Sequence, residues 1–325
     1  MAVTASRARG AIDHCPAWVR ATLRCPRCKA VLEWENGQAR CGSSGCDLGV
    51  FPVTECGQPV LIDFENSVVS EEGVVRSKPP GDRRIRFARG LLRSFRTIST
   101  NVSGVSNYRT LGALLEEIAE PRVLLIGGGD SGRDVRSRLQ VKPSAEIVNT
   151  DVYAGPFIHL LADGHQLPFA AETFDLVIAN AVLEHLLDPA VAVAEIWRVL
   201  KASGLVYADT PFLQAVHMGA FDFMRFSPLG HRALFRSFKE IDRGVTVGPM
   251  SVVRWSVEHA AKCLFRSRRA GWFFRPLTLP LGWLERYASR TPFALDACSG
   301  SYFIGRKSSR TLSPKEIVAA YKGGQ

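Results

Sequence analysis

The feature that most constrains this 325-residue chain is the combination of two short patterns. Four cysteines, Cys25, Cys28, Cys41 and Cys46, form two pairs near the start, and a glycine-rich stretch covers residues 127–132. Paired cysteines at such spacings are typical of small modules that fold around a metal ion. A glycine-rich stretch directly after an apolar run is typical of a strand that ends against a nucleotide. The sequence therefore predicts a metal-folded module joined to a nucleotide-binding α/β domain.

The composition fits one α/β domain with a small appendage. Hydrophobic residues make up 46% of the chain and charged residues 22%, which is enough to bury a sizeable core. No apolar run approaches the roughly 18–20 residues that span a bilayer. Arg7, Arg9 and Asp13 interrupt the first twenty residues, where a secretory signal would need an apolar core. We expect a cytoplasmic protein whose eight cysteines bind metal or stay as free thiols.

The net charge of +10 is concentrated in two stretches. Residues 76–96 contain eight Lys or Arg against one Asp, and residues 254–275 contain six against one Glu. In the first stretch Ile85, Leu92 and Phe95 recur at helical spacing, which predicts an amphipathic helix. Such stretches attract nucleic acid or anionic lipid, or simply face solvent, and these alternatives stay open here.

From about residue 108 onward, apolar strand patterns alternate with helical ones. The predicted strands cover residues 123–126, 146–151, 174–179 and 205–209, and a helix begins at Asp188 and Pro189. Strands separated by helices predict parallel βαβ units with right-handed connections. Beyond Pro211 the pattern is less regular until a last strand at 301–306.

The cysteine spacing is C-x2-C, then twelve residues, then C-x4-C. Two such pairs across a hairpin can place four thiolates around one zinc ion, and four filled positions favour a closed structural site. Residues 23–62, including Val50, Val53 and Gly57, resemble the small zinc-ribbon proteins that activate tRNA and protein methyltransferases. That resemblance implies structural zinc with no direct part in methyl transfer. Cys56 departs from it, at a position where Asp or Asn is usual.

The glycine-rich stretch fits the dinucleotide fingerprint literally. Gly127, Gly129 and Gly132 have the required spacing, and Asp151 lies where a ribose-binding carboxylate is expected. The glycines let the backbone turn tightly against the ligand, and the carboxylate accepts hydrogen bonds from ribose hydroxyls. Nicotinamide cofactors and S-adenosylmethionine are bound through the same contacts, so this motif alone does not distinguish an oxidoreductase from a methyltransferase.

The segments that follow, residues 162–169, 174–186 and 195–201, resemble the class I S-adenosylmethionine-dependent methyltransferases. The resemblance covers about residues 107–211 and implies an α/β fold with a Rossmann-like seven-stranded sheet, whose last strand is antiparallel. It implies cofactor contacts from Gly127, Gly129, Asp151, Asp163, Gly164, His165 and Asn180.

By position, the resemblance places Gly127 and Gly129 beside the methionine part of the cofactor and Asp151 on the ribose hydroxyls. Asp163 would accept from the adenine amino group, with Gly164 and His165 beside it, and Asn180 would lie next to the sulfonium. Leu125 stands where the family usually has an acidic residue. The alternative for Asp163 is a cap of a helix or turn.

Residues 217–226 resemble a stretch that covers the active site in methyltransferases of glycan and natural-product pathways. His217, Asp222 and Arg225 lie there among aromatic residues, which suits a hydroxylated or anionic substrate. The alternative is a packed loop in which Arg225 pairs with Asp222. A hydroxyl acceptor must lose its proton, and His185 or His217 is the candidate base. The alternative for His185 is a role in orienting the following helix.

The sequence thus predicts a zinc-ribbon-like domain at 1–66, a basic linker and amphipathic helix at 67–105, and a methyltransferase domain at 106–325. Residues of about 213–298 would cover the substrate. The predicted reaction is O-methylation of a small molecule or glycan, with peripheral contact at a membrane where lipid-linked glycans are made. The alternatives are an RNA methyltransferase that uses the ribbon and the basic segment, and a non-catalytic cofactor-binding partner.

Overall fold

A computed structural model describes residues 17–35, 37–75 and 99–325. Most of the predicted basic linker and its amphipathic helix lies outside the described residues. The described chain divides into two compact units. The first unit comprises the described residues up to 75 together with 115–179 and 190–205, and the second comprises 99–114, 180–189 and 206–325.

The described strands and helices follow the predicted alternation. The strands are β1 Leu32–Glu35, β2 Gln38–Cys41, β3 Val60–Leu61, β4 Arg122–Ile126, β5 Glu146–Asp151, β6 Leu160–Ala162, β7 Phe174–Asn180, β8 Leu200–Pro211, β9 Phe238–Val247 and β10 Gly300–Lys307. The helices are α1 Ala17–Thr22, α2 Glu71–Val75, α3 Gly104–Leu114, α4 Val135–Leu139, α5 Pro189–Val199, α6 Pro228–Leu234, α7 Pro249–Leu264, α8 Arg268–Phe274, α9 Leu279–Ala288, α10 Phe293–Ala297 and α11 Pro314–Ala319.

Eight of these strands are hydrogen-bonded in the order β3-β6-β5-β4-β7-β8-β10-β9, and β1 and β2 form a separate antiparallel hairpin. Strands β3 to β7 pair in parallel, while β10 is antiparallel to β9. The predicted α/β class and its antiparallel last strand are confirmed. The sheet has eight strands rather than seven, because Val60 and Leu61 of the cysteine segment pair with Leu161 and Ala162 at its edge.

Strand β9 is the main element that the sequence did not predict. Its residues alternate only loosely between buried and exposed positions, and charged side chains occupy much of its length. A strand without an apolar run gives a weak periodic signal, so its pairing with β10 decides its structure.

The cysteine segment packs into the first unit. Val60, Ile62, Val69 and Val74 form one buried cluster with Ile158 and neighbouring residues that follow β5. The Gln58 side-chain amide donates to the carbonyl oxygens of Gly155 and Ile158, at 2.7 and 2.5 Å. The cysteine segment is therefore continuous with the sheet edge through both hydrogen bonds and core packing.

The second unit contains the predicted second basic stretch, and part of that stretch is internal. Glu258, which is 3% exposed, pairs with Lys262 at 2.5 Å and with Arg275 at 2.6 Å. Arg254 is also buried. Arg266, Arg268 and Arg269 remain at the surface. Within the described part of the chain, every helix is too short or too polar to cross a bilayer.

Candidate functional site

The four predicted metal ligands lie together in the first unit. Cys25 and Cys28 follow α1, Cys41 ends β2, and Cys46 lies in the next loop. The sulfur atoms of Cys25 and Cys46 are 3.8 Å apart, and those of Cys28 and Cys41 are 3.5 Å apart. A tetrahedron with metal–sulfur bonds of about 2.3 Å has edges of about 3.8 Å. The cysteine cluster thus has the dimensions that one tetrahedral ion requires.

Arg27, between the first two cysteines, connects this cluster to the sheet edge. Its guanidinium donates to both carboxylate oxygens of Asp63, at 2.6 and 2.5 Å. The hydrogen bond from Arg27 is the main reason that the pKa of Asp63 lies below its ordinary value. The backbone of Asp63 in turn exchanges hydrogen bonds with the Gln166 side chain. Arg27 therefore ties the cysteine loop to a buried carboxylate.

The predicted glycine turn follows β4. Gly127 has φ of +59° and Gly129 has φ of +43°, a left-handed conformation that favours glycine. The Asn149 side chain lies against the turn and donates to the Gly129 carbonyl oxygen at 3.1 Å. A Cβ atom on Gly132 would lie 2.1 Å from the Asn149 amide nitrogen, so a larger residue cannot fit. The sequence analysis missed Asn149, although a polar residue inside an apolar strand was a usable signal.

Asp151 ends β5 beside this turn, as predicted. Its carboxylate accepts hydrogen bonds from the backbone N–H groups of Gly129 at 3.1 Å and Tyr153 at 3.2 Å. Burial raises the pKa of Asp151, against the effect of these hydrogen bonds. A Cβ atom on Gly129 would lie at an ordinary contact distance, 3.7 Å, from the Asp151 oxygen, so the left-handed φ rather than crowding favours glycine there.

Asp163 is 2% exposed and follows β6. Its carboxylate accepts hydrogen bonds from the Ser67 hydroxyl and from the His165 backbone N–H. The Oδ1 atom of Asp163 also lies 2.6 Å from Nδ1 of the His165 ring. Burial would raise the pKa of Asp163, but the hydrogen bonds from His165 and Ser67 keep it below the ordinary value. These contacts are the ones expected if Asp163 caps a turn, which is the alternative given in the sequence analysis. The cofactor contacts of Asp163, Gly164 and His165 stay predictions.

Asn180, in the second unit, is the last residue of β7. Its amide nitrogen donates to the Tyr108 hydroxyl at 2.7 Å. Its side-chain oxygen is buried and has no hydrogen-bond partner among the described residues. Next to it, Ala181 has φ of +50° and donates its backbone N–H to the Asp209 carboxylate at 2.9 Å. The predicted contact of Asn180 with the cofactor is untested.

The two candidate bases, His185 and His217, are neighbours in the second unit. His185 lies in a 3-10 turn after β7 and His217 in the loop after β8. Their Nε2 atoms are 3.1 Å apart, and His185 Nδ1 is 2.7 Å from the Phe221 carbonyl oxygen. Burial lowers the pKa of His217, although the Asp222 carboxylate opposes this effect. Residues 32 positions apart in the sequence thus share one site.

Glu184 completes this site, and the sequence analysis did not single it out. The residue is 0% exposed, and neither carboxylate oxygen has a hydrogen-bond partner among the described residues. Its Oε1 atom lies 3.7 Å from His185 Nε2 and 3.8 Å from His217 Nε2. Burial, followed by the nearby Asp209 carboxylate, raises the pKa of Glu184 to about 8. A single acidic residue after the apolar Val182 and Leu183 was the available signal.

Asp222 and Arg225, the predicted substrate residues, form a bidentate ion pair. Arg225 also donates to the backbone carbonyl oxygens of Gln214 at 3.0 Å and Met224 at 2.7 Å. The hydrogen bonds from Arg225 hold the pKa of Asp222 well below its ordinary range. This is the packed-loop alternative of the sequence analysis. A direct contact of Asp222 or Arg225 with substrate stays a prediction.

Residues 136–208 match the family model described as a methyltransferase domain. The match includes Asp151, Asp163 and Asn180 and extends through Glu184 and His185. The chain carries an S-adenosylmethionine-dependent methyltransferase domain. The match contains Asp151, the carboxylate beside the glycine turn, and it is to a methyltransferase domain rather than to a nicotinamide-dependent oxidoreductase.

Several solved structures resemble the chain at low identity. A complex between the Haloferax volcanii Trm112 methyltransferase activator and a methyltransferase is 16% identical, over 66% of this chain and 92% of that one, with a TM-score of 0.40. The YcgJ protein of Bacillus subtilis is 17% identical over 63% and 99%, with a TM-score of 0.39. Haemonchus contortus phosphoethanolamine N-methyltransferase 2, bound to S-adenosyl-L-methionine, is 14% identical over 64% and 57%, with a TM-score of 0.38. A comparison with curated proteins finds no significant match.

Proposed function

We propose that the chain transfers a methyl group from S-adenosylmethionine to a hydroxyl of a small molecule or glycan. The observation that carries the proposal is the pair of partly exposed imidazoles, His185 and His217, in a chain with a methyltransferase domain. A hydroxyl is a poor nucleophile until it loses its proton, and an imidazole has a pKa suited to accepting it. Nitrogen acceptors have less need of such a base.

The cofactor would be held by residues of the first unit. The left-handed turn at Gly127 and Gly129 brings bare backbone beside Asp151, whose carboxylate would accept from the ribose hydroxyls. The buried turn at Asp163 and His165 would face the adenine. When bound, S-adenosylmethionine supplies an electrophilic methyl group. The sequence predicted each of these residues, and the left-handed glycine turn beside Asp151 supports the proposed cofactor site.

The proton-accepting atom would be an Nε2 of the histidine pair. A carbonyl oxygen only accepts hydrogen bonds, so His185 Nδ1 must donate to Phe221 and its Nε2 carries the lone pair. Burial lowers the pKa of His217, so its imidazole is neutral at pH 7 and able to accept a proton. Asp222 would keep the His217 ring oriented, since it lies 3.4 Å from Nδ1.

The test measures transfer of a labelled methyl group from S-adenosylmethionine to an extract of lipid-linked and free glycans. We expect label in a hydroxylated small molecule, and a loss of at least about a hundredfold in rate for His185→Asn and His217→Asn, in line with the usual contribution of a positioned base. Cofactor affinity should not change. His259→Asn, elsewhere in the second unit, is the matched control. Methylation of structured RNA instead, or cofactor binding without transfer to any fraction, would contradict the proposal.

For the cysteine cluster we propose one structural zinc ion, held by Cys25, Cys28, Cys41 and Cys46. The sulfur separations and the four-thiolate donor set support this assignment. The cluster has no open ligand position, so it would stabilise the fold and take no direct part in methyl transfer.

We also propose that the enzyme works in the cytoplasm and docks peripherally on an anionic membrane. The surface of α8, α9 and the turn between them carries large exposed apolar side chains: Trp272 at 67%, Phe273 at 80%, Leu277 at 72%, Trp283 at 85% and Tyr287 at 77%. Exposed patches of this kind in a charged surface mark interaction sites, and aromatic residues favour the membrane interface.

The charges around these helices favour a bilayer with anionic headgroups as the occupant. Arg266, Arg268 and Arg269 lie at the start of α8, and Arg286 and Arg290 lie at the end of α9, all of them exposed. Cationic side chains near the surface add about 1 kcal/mol each to binding of an anionic bilayer. An apolar groove of about 490 Å³ opens nearby, lined by α7, α9 and α10, and could receive part of an acyl chain.

A further inference from the structure

The side chains of Glu184, His185 and His217 converge on one point in the second unit. The separations between Glu184 Oε1 and the two Nε2 atoms are 3.7 and 3.8 Å, and the Nε2 atoms are 3.1 Å apart. A point equidistant from three atoms with these separations lies about 2.1 Å from each of them, which is the usual bond length from zinc to imidazole nitrogen or carboxylate oxygen. The space between the three atoms therefore has the size of one metal ion.

The hydrogen bonds behind these atoms leave lone pairs directed at that point. His185 Nδ1 donates to the Phe221 carbonyl oxygen, so its Nε2 is unprotonated in the neutral ring. His217 Nδ1 faces Asp222 Oδ2 at 3.4 Å, and a proton there would likewise leave Nε2 unprotonated. The Glu184 carboxylate is fully buried, and neither of its oxygens has a hydrogen-bond partner within the described chain. A cation at that point would accept both nitrogen lone pairs and neutralise the buried carboxylate.

We propose that Glu184, His185 and His217 bind one divalent transition-metal ion. Two imidazoles and one carboxylate suit Zn²⁺, Mn²⁺, Fe²⁺ or Co²⁺, whereas Mg²⁺ and Ca²⁺ prefer sites made only of oxygen. The Phe221 carbonyl and Asp222 would fix the two ring orientations, as outer hydrogen-bond partners of metal-bound histidines commonly do. Three protein ligands leave at least one coordination position open for a ligand from solution.

The open coordination position could bind the acceptor hydroxyl, a role that rests on the proposed function. A hydroxyl oxygen of the acceptor that binds the ion would lose its proton more easily, because a bound cation lowers the pKa of a coordinated hydroxyl. The proton would pass to solvent, since an Nε2 atom that binds metal cannot also accept a proton. In the metal-loaded enzyme the two histidines would act as ligands, and activation of the hydroxyl by the ion would replace the direct proton transfer to Nε2 described above.

The experiment is a calorimetric titration of the full chain, purified with its cysteine-bound metal in place, using Co²⁺ alone as the probe. We expect one equivalent to bind, with an absorption spectrum free of the intense bands of cobalt–thiolate bonds. Glu184→Gln and His217→Asn should each weaken binding at least about a hundredfold, and His259→Asn should leave it unchanged. Thermal melting of each variant would show that the chain is folded.

Three results would overturn the site: no binding of Co²⁺ by the wild-type chain, wild-type affinity retained in both His217→Asn and Glu184→Gln, or binding that shows only thiolate bands. The outcome for the reaction is separate. If Co²⁺ binds as expected but no hydroxyl is ever methylated, the metal site stands and the proposed function fails. If Glu184→Gln, after losing Co²⁺ affinity, still methylates hydroxyls at the wild-type rate, the enzyme proposal stands and the part of the metal in the reaction fails.

Discussion

At the scale of single residues, this methyltransferase depends on polar groups whose positions are fixed by other polar groups. Asp151 is held by backbone N–H donors, Asp163 by Ser67 and His165, and Asp222 by Arg225. Glu184 is the exception, because its buried carboxylate oxygens have no hydrogen-bond partner among the described residues. A buried carboxylate in that state is costly, which supports the metal-binding role proposed for it beside the two histidines.

The sharpest prediction for a single residue concerns Asp151. Asp151→Ala should weaken S-adenosylhomocysteine binding by about 1.5–3 kcal/mol, the usual contribution of a hydrogen bond to a charged group. That loss corresponds to about 10- to 150-fold in the dissociation constant measured by calorimetry. Asp134→Ala is the control, since Asp134 is an exposed residue of the same unit. Equal affinity in the wild type and Asp151→Ala would remove Asp151 from the cofactor site.

At the scale of elements, the loop between the first two cysteines is joined to the segment after β3 by the Arg27–Asp63 pair. Asp63→Asn should lower the melting temperature of the protein at pH 7, because the amide cannot accept both guanidinium hydrogen bonds. The folded-state pKa of Asp63 is depressed, so its stabilising effect is present above the unfolded pKa of about 4 and disappears as the pH falls below it. The difference in melting temperature between wild type and variant should therefore shrink between pH 6 and pH 3. A pH-independent difference would show that Asp63 acts through packing alone.

The second prediction at this scale concerns membrane binding by helices α8 and α9. The triple variant Trp272→Ser, Phe273→Ser, Trp283→Ser should reduce pelleting with anionic liposomes about tenfold or more, because each aromatic side chain contributes about 1.5–3 kcal/mol when fully buried. Raising the salt concentration should weaken wild-type binding, since exposed arginines contribute to it. Val318→Ser, at another exposed apolar position, serves as the control. If the triple variant pellets as the wild type does, the apolar surface is not a membrane contact.

At the scale of the whole molecule, the cysteine module is part of the sheet that carries the methyltransferase motifs. Strand β3 pairs with β6, and residues of α2 share a buried cluster with residues that follow β5. Ser67, beyond β3, donates to Asp163. The resemblance of the ribbon implied a structural role with no direct part in methyl transfer. These contacts link the cysteine cluster to the predicted adenine-binding turn within one unit.

Cys25→Ser should therefore affect more than the module. We expect elemental analysis to find one zinc ion fewer per chain, a lower melting temperature, and weaker binding of S-adenosylhomocysteine. Structural zinc contributes on the order of 10 kcal/mol to the folding of small modules, so its loss should unfold the segment that supports Asp163. Cys56→Ser, at an exposed cysteine outside the cluster, should change none of these quantities. Full cofactor affinity in folded, zinc-depleted Cys25→Ser would show that the module is independent of the methyltransferase sheet.

The sequence by itself determined the α/β class, the order of most strands, the four clustered cysteines, the glycine turn with Asp151, and both histidines of the second unit. These features follow from local periodicity, turn chemistry and short spacings, which neighbouring residues encode. The tertiary structure alone decided that β3 joins the sheet, that Asn149 supports the glycine turn, and that His217 lies beside Glu184 and His185. Each of these depends on which distant segments meet and on which buried polar group finds a partner, and no local pattern in the chain records that choice.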